Sequence, residues 1–542
     1  MSTISFTLKP DPSSSSTATA GRLGTLLVTR PDGAQLDLET PNFLASTSRG
    51  AVPHLSRDHV LASSSTRGLH VTYDSLCVLE QSPPLPPLYP SERPMHDFLA
   101  YPPSKHILSL SLRDTDDTRT APTNGNDFVN VWTARGVRRT VPKPFHDDVV
   151  KCHVDILEAI SDIPTTAPPY SQRRLEKSVE RTSGWLADLL RRHRPEEGST
   201  PGILVNMVGG TSVQARKAFA LALQETLDGR KLVDDLLGVS FDLAHLRTIL
   251  DAAGPTIVVE EDIIEKVQTA DSVVLVEEHT VVQPTLDIVE ASTAAAEDAE
   301  DGSPSTLIAS TSTRQPDTST RHPLVPYLDA SLHSIPPSKL RVARSTRSPH
   351  DVLLLIRDTG IDLFDARWVQ DAASVGVALT FVFPAPSDLP PSSDVGINLY
   401  DAAYAYDHQP LTSLPCDCIA CAPLPPSAIP HTTSSPSDAL PRTEPDAAYR
   451  RSYIHHLLRT HEMSAHALLA AHNLSVLERF FASIRHHLLS SEFGEEVERF
   501  VRTYDGRMKL LEQARSDWKD VDLARGKGRL AREKVKMAEA EG

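Results

Sequence analysis

The stretch GILVNMVGGTSVQARKAFALALQETL, residues 202–227, decides the fold class. Residues 202–208 form a short apolar run of strand length, and residues 212–227 are rich in Ala, Leu and Gln, which favour helix. The same pair of signals recurs outward from it. Upstream, RRLEKSVERTSGWLADLLRRH (residues 173–193) sets Leu175, Val179, Leu186, Leu189 and Leu190 at helical spacing. Before that helix, HILSLSL (106–112) reads as a strand. Downstream, TIVVE (256–260), SVVLV (272–276) and VLLLI (352–356) are further strand-like runs. Apolar strands alternating with amphipathic helices indicate an α/β fold with a mainly parallel sheet. So many units in one long stretch suit a (β/α)8 TIM barrel, placed over residues 21–415.

Of 542 residues, 40% are apolar and 23% charged, enough for a sizeable core. The 43 prolines cluster, as linker prolines do. Residues 1–20 and 283–321 are rich in small polar groups, and residues 422–446 hold seven prolines. None of these segments can bury enough surface to offset the entropy of ordering, so the expectation is a disordered N-terminus and two disordered insertions. Net charge is −17, against a protein that grips nucleic acid alone. The C-terminal region, residues 501–542, reads as helical with a basic end: RGKGRLAREKVK (525–536) carries six basic residues and one acid. No export signal or membrane-length apolar run is present, and the five cysteines show no disulfide spacing. The expectation is a cytoplasmic chain without integral membrane association.

Three of those cysteines fall within six residues, in LPCDCIACAPLPP: Cys416, Cys418 and Cys421. Cys-x-Cys-x-x-Cys can supply three thiolates from one turn, and a closed Cys3His zinc site needs one more ligand. The helical region after Ala447 offers His455, His456, His461, His466 and His472. His472 shares a helical stripe with Leu468, Leu469 and Val476, but spacing does not choose among the five. A closed site leaves no open position, so the metal (Zn2+, one ion) would be structural.

CDCIAC followed by YIHHLLRTHEM and AAHNL resembles the zinc subdomain of the tRNA-guanine transglycosylases, the queuine-inserting enzymes. The segment TPNFL…SRG.VPHL near the start and IPPSKLR (335–341) are similar to further parts of that family. The resemblance implies a TIM barrel with an inserted zinc-binding subdomain, here residues 416–500, followed by C-terminal helices, and makes His472 the fourth ligand. It places the family nucleophile at Asp365 of the Phe364-Asp365 pair. It also sets Leu110, Leu112 and Arg113 where catalytic members keep an Asp and two glycines, and Val208 where they keep a Gln before Gly209-Gly210. Asp371 and Ser374 stand where they keep tRNA-binding arginines, and Asp162 matches an Asp that reads the base.

Apolar side chains can neither carry a proton nor present an amide to a purine edge. The implied role is therefore the non-catalytic subunit of the family's eukaryotic heterodimer, with Asp365 vestigial. Its partner would be the catalytic subunit, which exchanges guanine for queuine at the wobble position of GUN-anticodon tRNAs, and tRNA would be met through the complex. The resemblance also leaves open peripheral association with the mitochondrial outer membrane, which no motif here supports. The alternative is an active homodimer working through Asp365. A zinc hydrolase is excluded by the closed ligand set.

Overall fold

The computed structural model describes residues 2–9, 21–76, 93–192, 201–227, 229–253, 321–422 and 448–524. Strands are numbered along the chain. The first three, β1 (Thr3–Leu8), β2 (Gly24–Thr29) and β3 (Gln35–Thr40), form an antiparallel sheet. Eight parallel strands then close a barrel in chain order: β4 (Asn42–Ser46), β5 (Gly68–Thr72), β6 (Ile107–Ser111), β9 (Ile156–Ala159), β10 (Gly202–Asn206), β13 (Gly238–Asp242), β14 (Leu340–Arg344) and β15 (Leu363–Asp365). β15 pairs back onto β4, with Phe364 opposite Phe43. Short antiparallel ladders join β7 (Val129–Thr133) to β8 (Gly136–Thr140), β11 (Thr226–Leu227) to β12 (Arg230–Lys231), and β16 (Val377–Leu379) to β17 (Gly396–Asn398).

Side chains alternate across each barrel strand, and the two faces have different fates. Outward residues such as Phe43, Leu69, Leu108, Leu157, Val205 and Phe241 join the large core beneath the helices. At the N-terminal end of the barrel, Leu44, Ile107, Ile156, Leu204, Leu340 and Leu363 pack with Leu26, Val28, Leu36 and Leu38 of the antiparallel sheet, which plugs that end. Further up, the interior turns polar. Arg344 Nε donates to Glu158 Oε2 (3.1 Å) and its Nη2 to Ser109 Oγ (3.3 Å), and His70 lies between Ser109 and Ser111. The barrel is thus sealed at its base and polar towards the C-terminal rim, where TIM barrels carry their sites.

Two expectations are corrected. The run at 352–356 is helical, inside Pro349–Thr359. Ser348 Oγ accepts from Asp351 N (3.2 Å) as N-cap, Pro349 opens the first turn, and Gly360 closes the helix at φ 63°. The helix is buried on most sides, so apolar residues fill successive positions and mimic a buried strand. Disorder over residues 1–20 fails for its first part. Ile4 and Phe6 alternate with polar residues, β1 pairs with β2, and both side chains pack against the cluster beneath the barrel. Residues 10–20, the strand-like runs at 256–260 and 272–276, residues 283–320 and 423–446 of the two expected insertions, and the basic run 525–536 all lie outside the described residues.

After β15 the chain forms the helix Arg367–Ser374 and the β16–β17 ladder, then the helices Arg451–Arg459, Met463–His487, Phe493–Thr503 and Lys509–Ala524. The 25-residue helix Met463–His487 runs against Arg367–Ser374, β4 and β16. Its Phe480 and Phe481 stack among Phe43, Phe364, Phe381 and Phe383, which fastens the C-terminal helices to the barrel wall.

Candidate metal centre and barrel mouth

Cys416, Cys418 and Cys421 lie in an irregular loop, and His472 sits in the buried stripe of the helix Met463–His487. His472 Nδ1 is 3.8, 3.8 and 3.4 Å from the Sγ atoms of Cys416, Cys418 and Cys421. All four ligand atoms lie within 4.8 Å of one another. A tetrahedral zinc with ordinary Zn–S and Zn–N bonds needs S···N separations of about 3.6 Å, so the set fits such an ion. The other ring nitrogen, Nε2, donates to Leu379 O (3.0 Å), which leaves the Nδ1 lone pair facing the thiols. Neighbouring Asn473 accepts from Leu379 N (2.9 Å) and donates to Val377 O (2.9 Å), so the His-Asn pair clamps the helix onto β16.

Among the described residues His472 is the histidine that shares the cluster with the three thiols, and two of the others are engaged elsewhere. His455 binds Leu399 O at 2.9 Å and His466 binds Ala373 O at 3.1 Å. Hydrogen bonds with Cys418 and Cys421 pull the Cys416 thiol well below its usual range, while those with Cys416 and Cys418 hold Cys421 well above it. Burial pulls the His472 imidazole down, but Cys416 and Cys418 outweigh it and lift the group to about 9. A dication among them would hold all three sulfurs as thiolates. The chain also closes behind the cysteines: Tyr449 N donates to Ala420 O at 2.8 Å, which ties the start of the C-terminal helical region to the cysteine loop.

At the barrel mouth, Asp162 is fully buried and saturated. Arg174 donates to both carboxylate oxygens (2.9 and 2.7 Å), Arg181 Nη1 to Oδ2 (3.0 Å) and Asn124 Nδ2 to Oδ1 (2.8 Å). Thr182 and Ser178 hold its backbone. Asp365, 4% exposed, is tied almost as fully. Ser345 N and Thr346 N donate to Oδ2, and Thr346 Oγ1 (3.3 Å) and Arg367 N (3.1 Å) donate to Oδ1. Burial pushes this carboxyl up, against the pull of those donors. A cavity of about 170 Å³ opens at the mouth, lined by Arg113, Tyr170, Asp242 and His245 among others.

A family model described as queuine tRNA-ribosyltransferase matches residues 16–235 and 280–506. The chain belongs to the queuine tRNA-ribosyltransferase family. Its curated relatives include three proteins named queuine tRNA-ribosyltransferase accessory subunit 2. The one from Schizosaccharomyces pombe is 24% identical over 470 residues, covering 86% of this chain and 79% of the relative. That from Drosophila persimilis is 24% identical over 495 residues (90% and 91%), and that from Drosophila yakuba 25% over 513 residues (94% and 96%).

Within this member of the family the residues singled out by resemblance have different fates. Leu110 points outward into the helix-facing core, opposite Val71 on β5, and brings nothing to the mouth. Val208 is buried in the same core. Gly209 and Gly210 both have positive φ (119° and 57°), and a Cβ on Gly209 would sit 2.8 Å from Arg216 N, so this turn is kept for the close approach of the following helix. Asp371 pairs with Arg367 (3.4 Å), and Ser374 accepts from or donates to His54. An arginine does follow Asp365, but Arg367 is engaged by Asp114 (3.3 Å) as well.

Sequence reading missed two acids. The loop after β6 carries Asp114 and Asp116 to the mouth beside Asp365, and only the position of Asp365 at the neighbouring rim makes them notable. Partial burial first, then the charges of Asp365 and Asp114, push the Asp116 carboxyl up to about 7, although the residue as a whole is exposed. The sign follows: an acid whose folded pKa is raised costs stability as pH climbs from its unfolded value, near 3.9, to its folded one. Asp116→Asn should therefore raise the melting temperature by an increment that grows from pH 4 to pH 7 and is flat above. A melting series of both proteins checks this, and an increment independent of pH would refute it.

Proposed function

We propose that this chain is the non-catalytic subunit of a heterodimeric queuine tRNA-ribosyltransferase, paired with a catalytic subunit that exchanges guanine for queuine at the wobble position of GUN-anticodon tRNAs. One observation carries the reading: both inherited mouth acids are consumed internally. A carboxylate bound by Arg174, Arg181 and Asn124 cannot read a base, and one held by Ser345, Thr346 and Arg367 is a poor nucleophile. The names of the relatives agree with it. Of the large apolar side chains exposed among the described residues, Tyr406, Leu414, Tyr453 and Met463 cluster in sequence around the cysteine loop, as expected of a chain that meets a partner there. No helix among the described residues is long and apolar enough to cross a membrane.

The same reading assigns Cys416, Cys418, Cys421 and His472 as ligands of one structural zinc. Thiolate-rich tetrahedral sets favour zinc, and with four protein ligands the ion would hold the loop to the helix without meeting substrate.

A second reading, an active homodimer through Asp365, draws on Asp116, whose raised carboxyl stands where a proton shuttle would. A guanine-exchange assay on a GUN-anticodon tRNA separates the two. The expected result is exchange by the mixture of this chain and its catalytic partner, none by this chain alone, and no change with Asp365→Asn in this chain. Turnover by this chain alone, abolished by Asp365→Asn, would establish the second reading.

A further inference from the structure

The chain is acidic overall, yet one element at its barrel mouth is not. Residues 128–146, FVNVWTARGVRRTVPKPFH, contain Arg135, Arg138, Arg139 and Lys143 and no acid, in a protein of net charge −17. They fold as the β7–β8 hairpin and the first turn of the helix Pro142–Lys151, with Asn130 opposite Arg139 and Trp132 opposite Val137. One face of the hairpin buries Val129 and Val131 in the core. The other face presents Phe128, Trp132 and Arg139. The Arg139 guanidinium lies 4.5 Å over the Phe128 ring, and the Arg119 guanidinium, from the preceding loop, 4.5 Å over the Trp132 ring. Arg119, Arg139, Lys143 and Val141 are exposed.

Elsewhere the arginines are mostly spent on carboxylates: Arg22 on Asp362, Arg30 on Asp155, Arg113 on Asp242, Arg247 on Asp351 and Arg344 on Glu158. Arg119 keeps such a partner in Asp117. Among the described residues, Arg139 and Lys143 have none. Cations laid on aromatic rings and unopposed by acid are the groups that meet a phosphodiester backbone and the faces of unstacked bases.

We infer that the β7–β8 hairpin, through Arg139, Lys143 and the Arg119–Trp132 stack, is a contact surface for the RNA backbone of the tRNA. This rests on the reading of the chain as a subunit of a tRNA-modifying complex, and it gives that acidic subunit a direct hold on the nucleic acid. Arg119 also lines the barrel-mouth cavity, so the surface adjoins the rim. An anionic protein would find the charge but little use for the rings, which favours RNA.

The test uses the full-length heterodimer and unmodified GUN-anticodon tRNA, with binding measured by fluorescence anisotropy from 50 to 200 mM salt. Arg139→Gln with Lys143→Gln should weaken binding roughly fivefold to tenfold at the middle of this range and lower the slope of log K against log[salt] by about 1.5 to 2. Trp132→Leu should weaken binding with the slope unchanged. Both variants should pair with the catalytic subunit as the parent does, by size-exclusion chromatography. Unchanged affinity and slope in an intact heterodimer would overturn the inference and leave the subunit reading standing. Loss of pairing would make the hairpin a protein interface and overturn it too. Failure of the parent chain to pair at all would overturn the subunit reading itself.

Discussion

Cys418→Ser, close to isosteric, is expected to abolish metal binding and to release the cysteine loop from the helix Met463–His487. The protein as purified should carry about one zinc per chain and the variant close to none. Structural zinc contributes about 10–16 kcal/mol of apparent binding free energy in small domains, and that energy is folding energy wherever the site does not form without the ion. Here the loop has almost no regular structure of its own, so little else holds it in place. The C-terminal helices keep their aromatic contacts with the barrel, so the loss should fall on the loop and the Arg451–Arg459 helix it leads to, and not on the barrel. Metal analysis and calorimetry of parent and variant measure this, and a strong chelator should turn the parent's trace into the variant's. Full zinc content with an unchanged melting profile in Cys418→Ser would refute the ligand assignment.

Asp162→Ala is expected to cost about 3–5 kcal/mol, the range for breaking a buried ion pair from one side. The penalty arises because Arg174 and Arg181, both largely buried, would face each other with no anion between them. Asn124 would lose a partner as well, and it accepts from Asn130 N to fix the start of β7. Loss of Asp162 should therefore loosen the hairpin as well as the helix Gln172–Arg192. Denaturant unfolding reports the magnitude, and Asp162→Asn, which keeps the shape and some hydrogen bonds, should lie between parent and alanine variant. A cost below about 1 kcal/mol, the value of an exposed pair, would mean that Asp162 is not the internal anchor described above. It would then be open again to a role with the base.

Much of this was legible in the chain itself, for reasons that differ by residue. The alternation of strand and helix around residues 202–227 depends on near neighbours, and it foretold a closed parallel barrel. The Cys-x-Cys-x-x-Cys loop is likewise a local pattern, and its resemblance to a known zinc subdomain pointed to His472. The bottom-up reading alone left five histidines, because what distinguishes His472 is the placement of its Nδ1 3.4–3.8 Å from thiols 51 to 56 residues away. The run at 352–356 misled because a helix buried on most sides loses its period. Thr3–Leu8 was missed because a lone six-residue strand declares itself only through the partner it pairs with.

The sequence by itself determined which segments alternate, which thiols stand together and which residue types are missing from the family's catalytic positions. Only the tertiary structure decided what the surviving acids do. Asp162 and Asp365 look available in the chain, and their neutralising groups come from segments 12 to 38 residues away for Asp162 and up to 20 for Asp365. Asp116 meets Asp365 across some 250 residues for the same reason that the barrel closes: β15 returns to β4, and the rims of strands far apart in sequence become one mouth.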